Sequence, residues 1–180
     1  EQTQKLAHTI TGNDDPKGWD HQLKTEPVLN FNYMRKQKVW RHGNPAGWAT
    51  DVSVDGHAGV GNMFTQASVA LECRWGYNMP RGFASVPDPI GLSMHYIAAL
   101  TPANPQAGSF YATLVLSGSA VAHNIFLDGN TFRDSHSVDK EPLVGLAVAG
   151  LHYERKNWGI HFNIVASTDD VDTDDAPDAE

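Results

Sequence analysis

The 180-residue chain has one cysteine, Cys73, and therefore cannot form an intrachain disulfide. It also lacks any run of roughly 18–20 apolar residues, which excludes a membrane-spanning helix. Basic residues are in the minority, with 13 Lys and Arg residues against 21 Asp and Glu residues. Seven of those acids follow Ser167, so the rest of the chain is close to neutral. No basic face is available for nucleic acid, and we expect no nucleic-acid partner.

What the sequence does have is an apolar pattern of period two, which predicts β-strands. In the clearest stretch, Val69, Leu71 and Trp75 alternate with Glu72 and Arg74. Beyond the first dozen residues this pattern recurs six times. The predicted strands cover residues 29–38, 47–58, 64–77, 109–122, 143–155 and 157–167.

Most of these strands are about 11–15 residues long, against ~5–6 in soluble proteins. Aromatic residues lie toward the strand ends, at Trp40, Trp75, Tyr77 and Trp158. Long two-faced strands with terminal aromatics are typical of a transmembrane β-barrel, although a soluble sandwich or lipocalin-like barrel alternates in the same way. A closed membrane barrel needs about eight strands or more. We therefore expect an all-β antiparallel fold that is a portion of a larger outer-membrane barrel.

The connections between the predicted strands differ in kind. Residues 42–46 and 59–62 indicate tight turns, whereas the proline-rich stretch 78–107 predicts a large irregular loop. Asp128-Gly129-Asn130 predicts a hairpin turn within 123–142. In the acidic stretch 169–180, carboxylate side chains alternate with other residues in a manner compatible with Ca²⁺ coordination. The stretch lacks the glycine and the terminal glutamate of an EF-hand loop. A solvated loop or tail is the better interpretation.

Residues 2–11 form the one stretch with a convincing helical pattern, and Gly12 suits its end. Gln4, His8 and Thr11 share a face of this helix, with Asp14 just beyond it. A histidine in such a polar setting can serve as a general base. The alternative is an ordinary solvent-exposed histidine.

The other polar candidates favour structural roles. The nine histidines are scattered, with no pair at metal-ligand spacing, which argues against a structural zinc site. Glu72 and Arg74 project to the same side of one strand and are expected to pair inside a lumen. No nucleophile elbow or phosphate-binding loop is present.

Several motifs resemble the LpxR family of outer-membrane lipid A deacylases. They cover most of residues 1–167. The matching stretches are Gln4-Lys5-Leu6-Ala7-His8-Thr9-Ile10-Thr11-Gly12, Pro16-Lys17-Gly18-Trp19-Asp20-His21-Gln22-Leu23, Gly61-Asn62-Met63-Phe64-Thr65 and Asn124-Ile125-Phe126-Leu127-Asp128-Gly129-Asn130-Thr131-Phe132.

The resemblance implies a twelve-stranded outer-membrane barrel that removes the 3′-linked acyl chain of lipid A by ester hydrolysis. It implies that His8 activates a water molecule and that a Ca²⁺ ion stabilises the oxyanion. Gln4 would be a neighbour of His8 one turn earlier, and Asp14 falls where the family usually has a glutamate. The implied partners are lipopolysaccharide and the outer membrane, and we expect a monomer.

The family's N-terminal half, which carries the metal ligands, and its last strand have no counterpart in this sequence. We therefore expect an internal portion of the family barrel. Residues 1–23 would form the helical loop with the candidate catalytic histidine, 24–168 the barrel strands, and 169–180 an acidic loop or tail. An inactive outer-membrane barrel with a structural or lipid-binding role, and a soluble β-sandwich module, are the alternatives.

Overall fold

The computed structural model describes residues 23–83, 102–156 and 158–171. Within them, six antiparallel strands form one sheet whose spatial order follows the chain. The bounds are β1 Asn30–Gly43, β2 Trp48–Gly61, β3 Phe64–Tyr77, β4 Ser109–Asn124, β5 Leu143–Arg155 and β6 Trp158–Ser167, with one helical turn, α1, at Ile125–Asp128. No helix among the described residues is long and apolar enough to cross a membrane.

The all-β antiparallel fold predicted from the sequence is confirmed, and each predicted strand is present. The connection after β4 differs from the prediction. The stretch Asp128-Gly129-Asn130 is not a hairpin turn, because β4 continues to Asn124 and is followed by α1. The Asn124 side chain accepts from the Phe126 amide, and Asp128 accepts from the Asn124 amide at 2.7 Å. These two bonds satisfy backbone donors and favour a helical turn at this point.

The two faces of the sheet have opposite chemistry, as the alternation predicts. On the face that we call outer, Val69 and Leu71 of β3 are 68% and 43% exposed. On the face that we call inner, Glu72 and Arg74 of the same strand are each 1% exposed. A barrel wall with lipid outside and a polar interior requires this division.

The sheet has two distinct ends. At one end, which we call the aromatic rim, β1 turns into β2, β3 leads to residues 78–108, and β5 turns into β6. Trp48 stacks on Trp75 there at 4.7 Å between ring centroids, and Tyr153 contacts Trp158 at 5.4 Å. Such rings are typical of a membrane–water boundary. The opposite end, the N-terminal rim, receives the chain from residue 23.

A buried carboxylate organises the inner face near the aromatic rim. Asp51 has no exposed surface and accepts two hydrogen bonds from Arg74, at 2.8 and 2.7 Å. Lys38 and Arg41 lie 2.8 and 3.1 Å from the same carboxylate. Glu72 pairs mainly with Lys36 at 2.7 Å and is 3.6 Å from Arg74. The predicted Glu72–Arg74 pair is therefore present but secondary.

A register shift in β1 makes this cluster possible. Lys38 and Arg41 are three residues apart, so a regular strand would place them on opposite faces. The pairing with β2 shifts between Lys38 and Trp40, which leaves Val39 as an extra residue. Both cations then face inward toward Asp51.

Residues 78–83 fold back over the inner face and cover this cluster. Met79 and Pro80 have no exposed surface. Arg74 donates to the Pro80 carbonyl at 3.3 Å, and Lys38 donates to the carbonyls of residues 81 and 82 at 3.2 Å each. Backbone oxygens thus accept hydrogen bonds from Arg74 and Lys38 in addition to those that Asp51 accepts, while Arg74 Nη1 stays buried without a hydrogen-bond partner.

Tyr111 completes the packing under this segment, where it forms a buried cluster with Ala49 and Met79. The cross-strand partner of Tyr111 is Gly76, and a Cβ at Gly76 would lie 2.4 Å from the Tyr111 Cβ. Only glycine leaves room for so close an approach. The Tyr111 hydroxyl donates to Glu154 at 2.7 Å and is satisfied in the interior.

We expect Asp51→Ala to destabilise the barrel by about 3–5 kcal/mol, because it leaves Arg74 buried without its main counter-charge. Urea unfolding of the full-length protein in detergent micelles measures this change. Asp55→Ala is the matched control, since Asp55 faces the same way on β2 but lies opposite Ala70 on β3. Equal stability of the two variants would contradict the role assigned to Asp51.

Candidate functional site

The N-terminal rim brings together three stretches that are far apart in the sequence. They are residues 23–30, which lead into β1, the β2–β3 turn at Asn62-Met63, and residues 124–132 after β4. Long-range hydrogen bonds join all three. Loops held by a rigid sheet are where functional residues are usually found. We therefore treat this rim as the candidate site.

Asn62 is the central residue of the rim. Its side-chain carbonyl accepts from the Leu29 amide at 2.7 Å, and its amide donates to the Pro27 carbonyl at 2.8 Å. The backbone carbonyl of Asn62 accepts from the Thr131 hydroxyl at 3.2 Å. One residue in a tight turn therefore connects the chain before β1 to the loop after β4.

Asn30 adds a second connection, which fixes the start of β1. Its side-chain oxygen accepts from the amides of Met63 and Phe64, at 3.1 and 2.9 Å. Its side-chain nitrogen donates to the Phe64 carbonyl at 3.0 Å. The side-chain amide of Asn30 thus makes the hydrogen bonds that a backbone peptide group would make, and it links β1 to β3.

The chain at 24–26 is fixed to the loop after β4 in the same way. Asn130 and Lys24 exchange two hydrogen bonds of 2.7 Å through the Asn130 side chain and the Lys24 backbone. The Glu26 carboxylate accepts from the amides of Thr131 and Phe132 at 3.2 Å each. These contacts set the direction in which the chain leaves residue 23.

Asp128 holds the loop after β4 in shape. Its carboxylate contacts Lys140, lies 3.3 Å from His123 Nδ1, and accepts from the Asn124 amide. The other ring nitrogen of His123 lies 3.1 Å from the Asn62 carbonyl oxygen. Because both nitrogens are engaged in contacts within the rim, His123 connects its parts rather than serving as a base.

Both rim carboxylates are held in the ionised form. Desolvation raises the pKa of Glu26, but hydrogen bonds from Phe132, Asn130, Thr131 and Asn62 outweigh it and leave the pKa below 4.5. Desolvation likewise raises the pKa of Asp128, and Lys140 together with the Asn124 amide brings it below 3.8. The rim is therefore built on two charged groups at neutral pH.

The predicted catalytic residues lie outside the described part of the chain. His8, Gln4 and Asp14 all precede residue 23. The structure fixes instead the point from which their segment departs, at the N-terminal rim. It also places that rim and residues 78–83 at opposite ends of the sheet.

The described residues do not fit a calcium ion. No group of three His, Cys, Asp or Glu side chains within them is arranged to hold a metal. The carboxylates of Glu26 and Asp128 are occupied by amides, Lys140 and His123. The predicted calcium ion therefore stays an expectation from the family resemblance.

Sequence reasoning missed a histidine pair on the inner face. His152 and His161 are cross-strand partners, and their Nδ1 atoms are 2.9 Å apart. His152 also lies 2.8 Å from the Thr113 hydroxyl and stacks on Tyr111. Spacing along one strand could not reveal the pair, but the short connection between β5 and β6 could have, because it sets these two positions opposite each other.

The pKa shifts of the two rim carboxylates predict that acid opens the rim. A lowered pKa means that the stabilisation is complete above the ordinary values of 4.5 and 3.8 and is lost as the pH falls below them. Hydrogen exchange of the Thr131 and Phe132 amides in the full-length protein, corrected for intrinsic rates, should show faster opening in that range.

Glu26→Gln should abolish the pH dependence at these two amides. The Val121 amide, which bonds to the Pro142 carbonyl at 2.8 Å, is the internal control. Protection of Thr131 and Phe132 that stays constant through the acid range would refute the assigned role of Glu26.

Comparison with known proteins agrees with the fold and with the rim motifs. A family model described as outer membrane protein LpxR matches residues 1–179. The solved structure of LpxR from Salmonella typhimurium is similar, with a TM-score of 0.70 and 15% sequence identity. The match covers 96% of this chain and 56% of the Salmonella chain, so this chain spans little more than half of that length.

No curated protein matches the chain. At 15% identity the structural likeness establishes the fold alone. The match to the family model establishes family membership as well, because it covers nearly every residue of the chain. It includes the rim stretches at 61–65 and 124–132, which the geometry brings together. The chain therefore belongs to the LpxR family of outer-membrane proteins.

Proposed function

We propose that this chain is part of a lipid A 3′-O-deacylase, a carboxylic ester hydrolase that acts on lipopolysaccharide in the outer membrane. Membership of the LpxR family supports this proposal. The observation that carries it is the assembly of the N-terminal rim. Residues 61–65 and 124–132, which resemble the deacylase family, hold the chain at the point where the segment with His8 departs.

In the proposed reaction, His8 accepts a proton from water as the water oxygen attacks the ester carbonyl carbon. The carbonyl oxygen becomes negatively charged in the tetrahedral intermediate. The bond to the 3′ sugar oxygen then breaks, and that oxygen receives the proton. The products are the 3′-linked acyloxyacyl chain, released as a free carboxylic acid, and a lipid A that lacks this chain. Neutral imidazole is abundant near pH 7, which suits histidine to the role of base.

Gln4 and Asp14 have supporting roles in this proposal. Gln4 lies one helical turn before His8 in the predicted helix, where its amide can orient the ring. Asp14 carries a negative charge that stabilises the imidazolium formed when His8 takes up the proton. Calcium stays a prediction from the family resemblance. No step above depends on it, because the described residues offer no site for it.

A second candidate is an inactive outer-membrane barrel with a lipid-binding role. The apolar outer face of the sheet is compatible with it, since that surface faces lipid whether or not the protein is an enzyme. The two candidates differ in one measurable way. Only the deacylase changes the mass of lipid A, and only the deacylase needs His8.

We expect His8→Ala in the full-length protein to lower deacylation at least about 100-fold, because the general base is removed. Mass spectrometry of lipid A incubated with the folded protein measures the loss of the 3′ chain. The heat-dependent shift of the folded barrel on gels should remain. His42→Ala, at the aromatic rim, is the matched control and should leave the rate unchanged. Equal activity of wild type and His8→Ala would exclude His8 as the base.

Asn62→Ala should slow deacylation roughly tenfold without unfolding the sheet, because three side-chain hydrogen bonds to the chain before β1 are lost. The loss should appear in kcat rather than in KM, since Asn62 positions the catalytic segment. Asn44→Ala is the control, because Asn44 occupies the β1–β2 turn at the other rim and accepts from Ala46. A rate equal to that of the control would show that the rim does not position the catalytic segment.

A further inference from the structure

The inner face carries a pair of histidines that the proposed hydrolysis does not use. His152 of β5 and His161 of β6 are cross-strand partners near the aromatic rim, and their Nδ1 atoms lie 2.9 Å apart. His152 is 1% exposed, whereas His161 is exposed. The pair therefore combines one fixed imidazole with one that a solute can reach, and it lies far from the rim where the segment with His8 departs.

Two arrangements place two Nδ1 atoms this close to each other. In one, a ring donates its Nδ1–H to the other ring, and in the second, both Nδ1 lone pairs point at one cation. Nitrogen ligands at about 2.0–2.1 Å from a metal are roughly 2.9 Å apart at a right angle and roughly 3.3 Å apart in a tetrahedron. The observed 2.9 Å fits adjacent ligands of a tetragonal ion such as Cu²⁺ better than it fits tetrahedral Zn²⁺.

The surroundings of His152 indicate where its proton lies. Three polar atoms converge over Gly150, since each lies 2.4–2.6 Å from the point that a Cβ there would occupy. They are Asn163 Oδ1, His152 Nε2 and Thr113 Oγ1. Asn163 Oδ1 is buried and has no hydrogen-bond partner. A proton on His152 Nε2 is donated to the Thr113 hydroxyl, 2.8 Å away, which leaves the hydroxyl hydrogen available to Asn163. The Nδ1 atom of His152 then carries a lone pair.

The surroundings of His161 favour a proton at the same ring position. A Cβ at Gly159 would lie 3.0 Å from His161 Nε2 and 3.3 Å from Glu154 Cγ, so this nitrogen lies beside the Glu154 side chain. Glu154 is 5% exposed, and its Oε2 atom is buried without a hydrogen-bond partner. A proton on His161 Nε2 offers this carboxylate a nearby donor, as metal-bound histidines commonly do. Both Nδ1 atoms then present lone pairs, which a shared cation holds together.

We propose that His152 and His161 bind one Cu²⁺ ion through their Nδ1 atoms, with water in the remaining positions. No third His, Cys, Asp or Glu of the described residues is arranged to complete the site, so the two imidazoles carry the selectivity. Cu²⁺ has the highest affinity of the first-row divalent ions for nitrogen ligands and accepts a tetragonal arrangement of nitrogen and oxygen. The bound ion joins β5 to β6, and the proposal does not depend on deacylation.

The test uses the full-length protein, folded in detergent micelles, freed of transition metals, kept in excess Ca²⁺ and titrated with Cu²⁺ alone. Electron paramagnetic resonance of the bound ion should show two imidazole nitrogens. His161→Gln should weaken Cu²⁺ binding at least tenfold and leave one nitrogen in the spectrum. His42→Gln is the matched control, because it removes an exposed histidine at the aromatic rim, and it should leave the affinity and the spectrum unchanged.

Thr113→Val keeps both ligands but removes the acceptor of the His152 Nε2–H, and it should weaken binding about tenfold with two nitrogens still in the spectrum. The heat-dependent shift on gels verifies that each variant is folded. Equal affinity of wild type and His161→Gln, or fewer than two nitrogens in the wild-type spectrum, would show a hydrogen-bonded histidine pair only and would overturn the proposal. Unchanged affinity of Thr113→Val would overturn the proton position assigned to His152. Hydrolytic activity enters none of these measurements.

Discussion

The inner face of this sheet depends on the pairing of four cationic side chains with two buried carboxylates in a confined space. The Asp51 carboxylate forms ion pairs with Arg74, Lys38 and Arg41, and the Glu72 carboxylate forms one with Lys36. A buried charge without a partner costs several kcal/mol, so these groups must be arranged together or not at all. That requirement accounts for the extra residue at Val39 and for the way residues 78–83 supply carbonyl oxygens to Arg74 and Lys38.

Different kinds of interaction stabilise the two rims of the sheet. The aromatic rim combines an ionic cluster with stacked rings and a segment folded over the inner face. The N-terminal rim uses side-chain amides, chiefly those of Asn62, Asn30 and Asn130. An amide both donates and accepts, so a single asparagine can bridge two stretches of backbone. Such hydrogen bonds fix the direction of the backbone without adding to the charge that Glu26 and Asp128 bring to this rim.

The sequence predicted the strands well because their pattern is strong. Alternation such as that of Leu71, Glu72 and Trp75 places successive side chains on opposite faces, so it predicts a strand with one apolar and one polar face. The same pattern predicted the Glu72–Arg74 pair. It did not predict the pair between Asp51 and Arg74, because their position opposite each other depends on the register between two strands. Cross-strand partners are set by turns and bulges, and a single strand does not contain that information.

The candidate site was predictable only in part for a related reason. The stretches 61–65 and 124–132 stood out by their resemblance to a family, but nothing in either one indicates that Asn62 reaches Pro27 or that Glu26 caps the amides of Thr131 and Phe132. Asp128-Gly129-Asn130 has the composition of a hairpin turn. The capping bonds of Asn124 and Asp128 outweigh that preference and produce a helical turn instead.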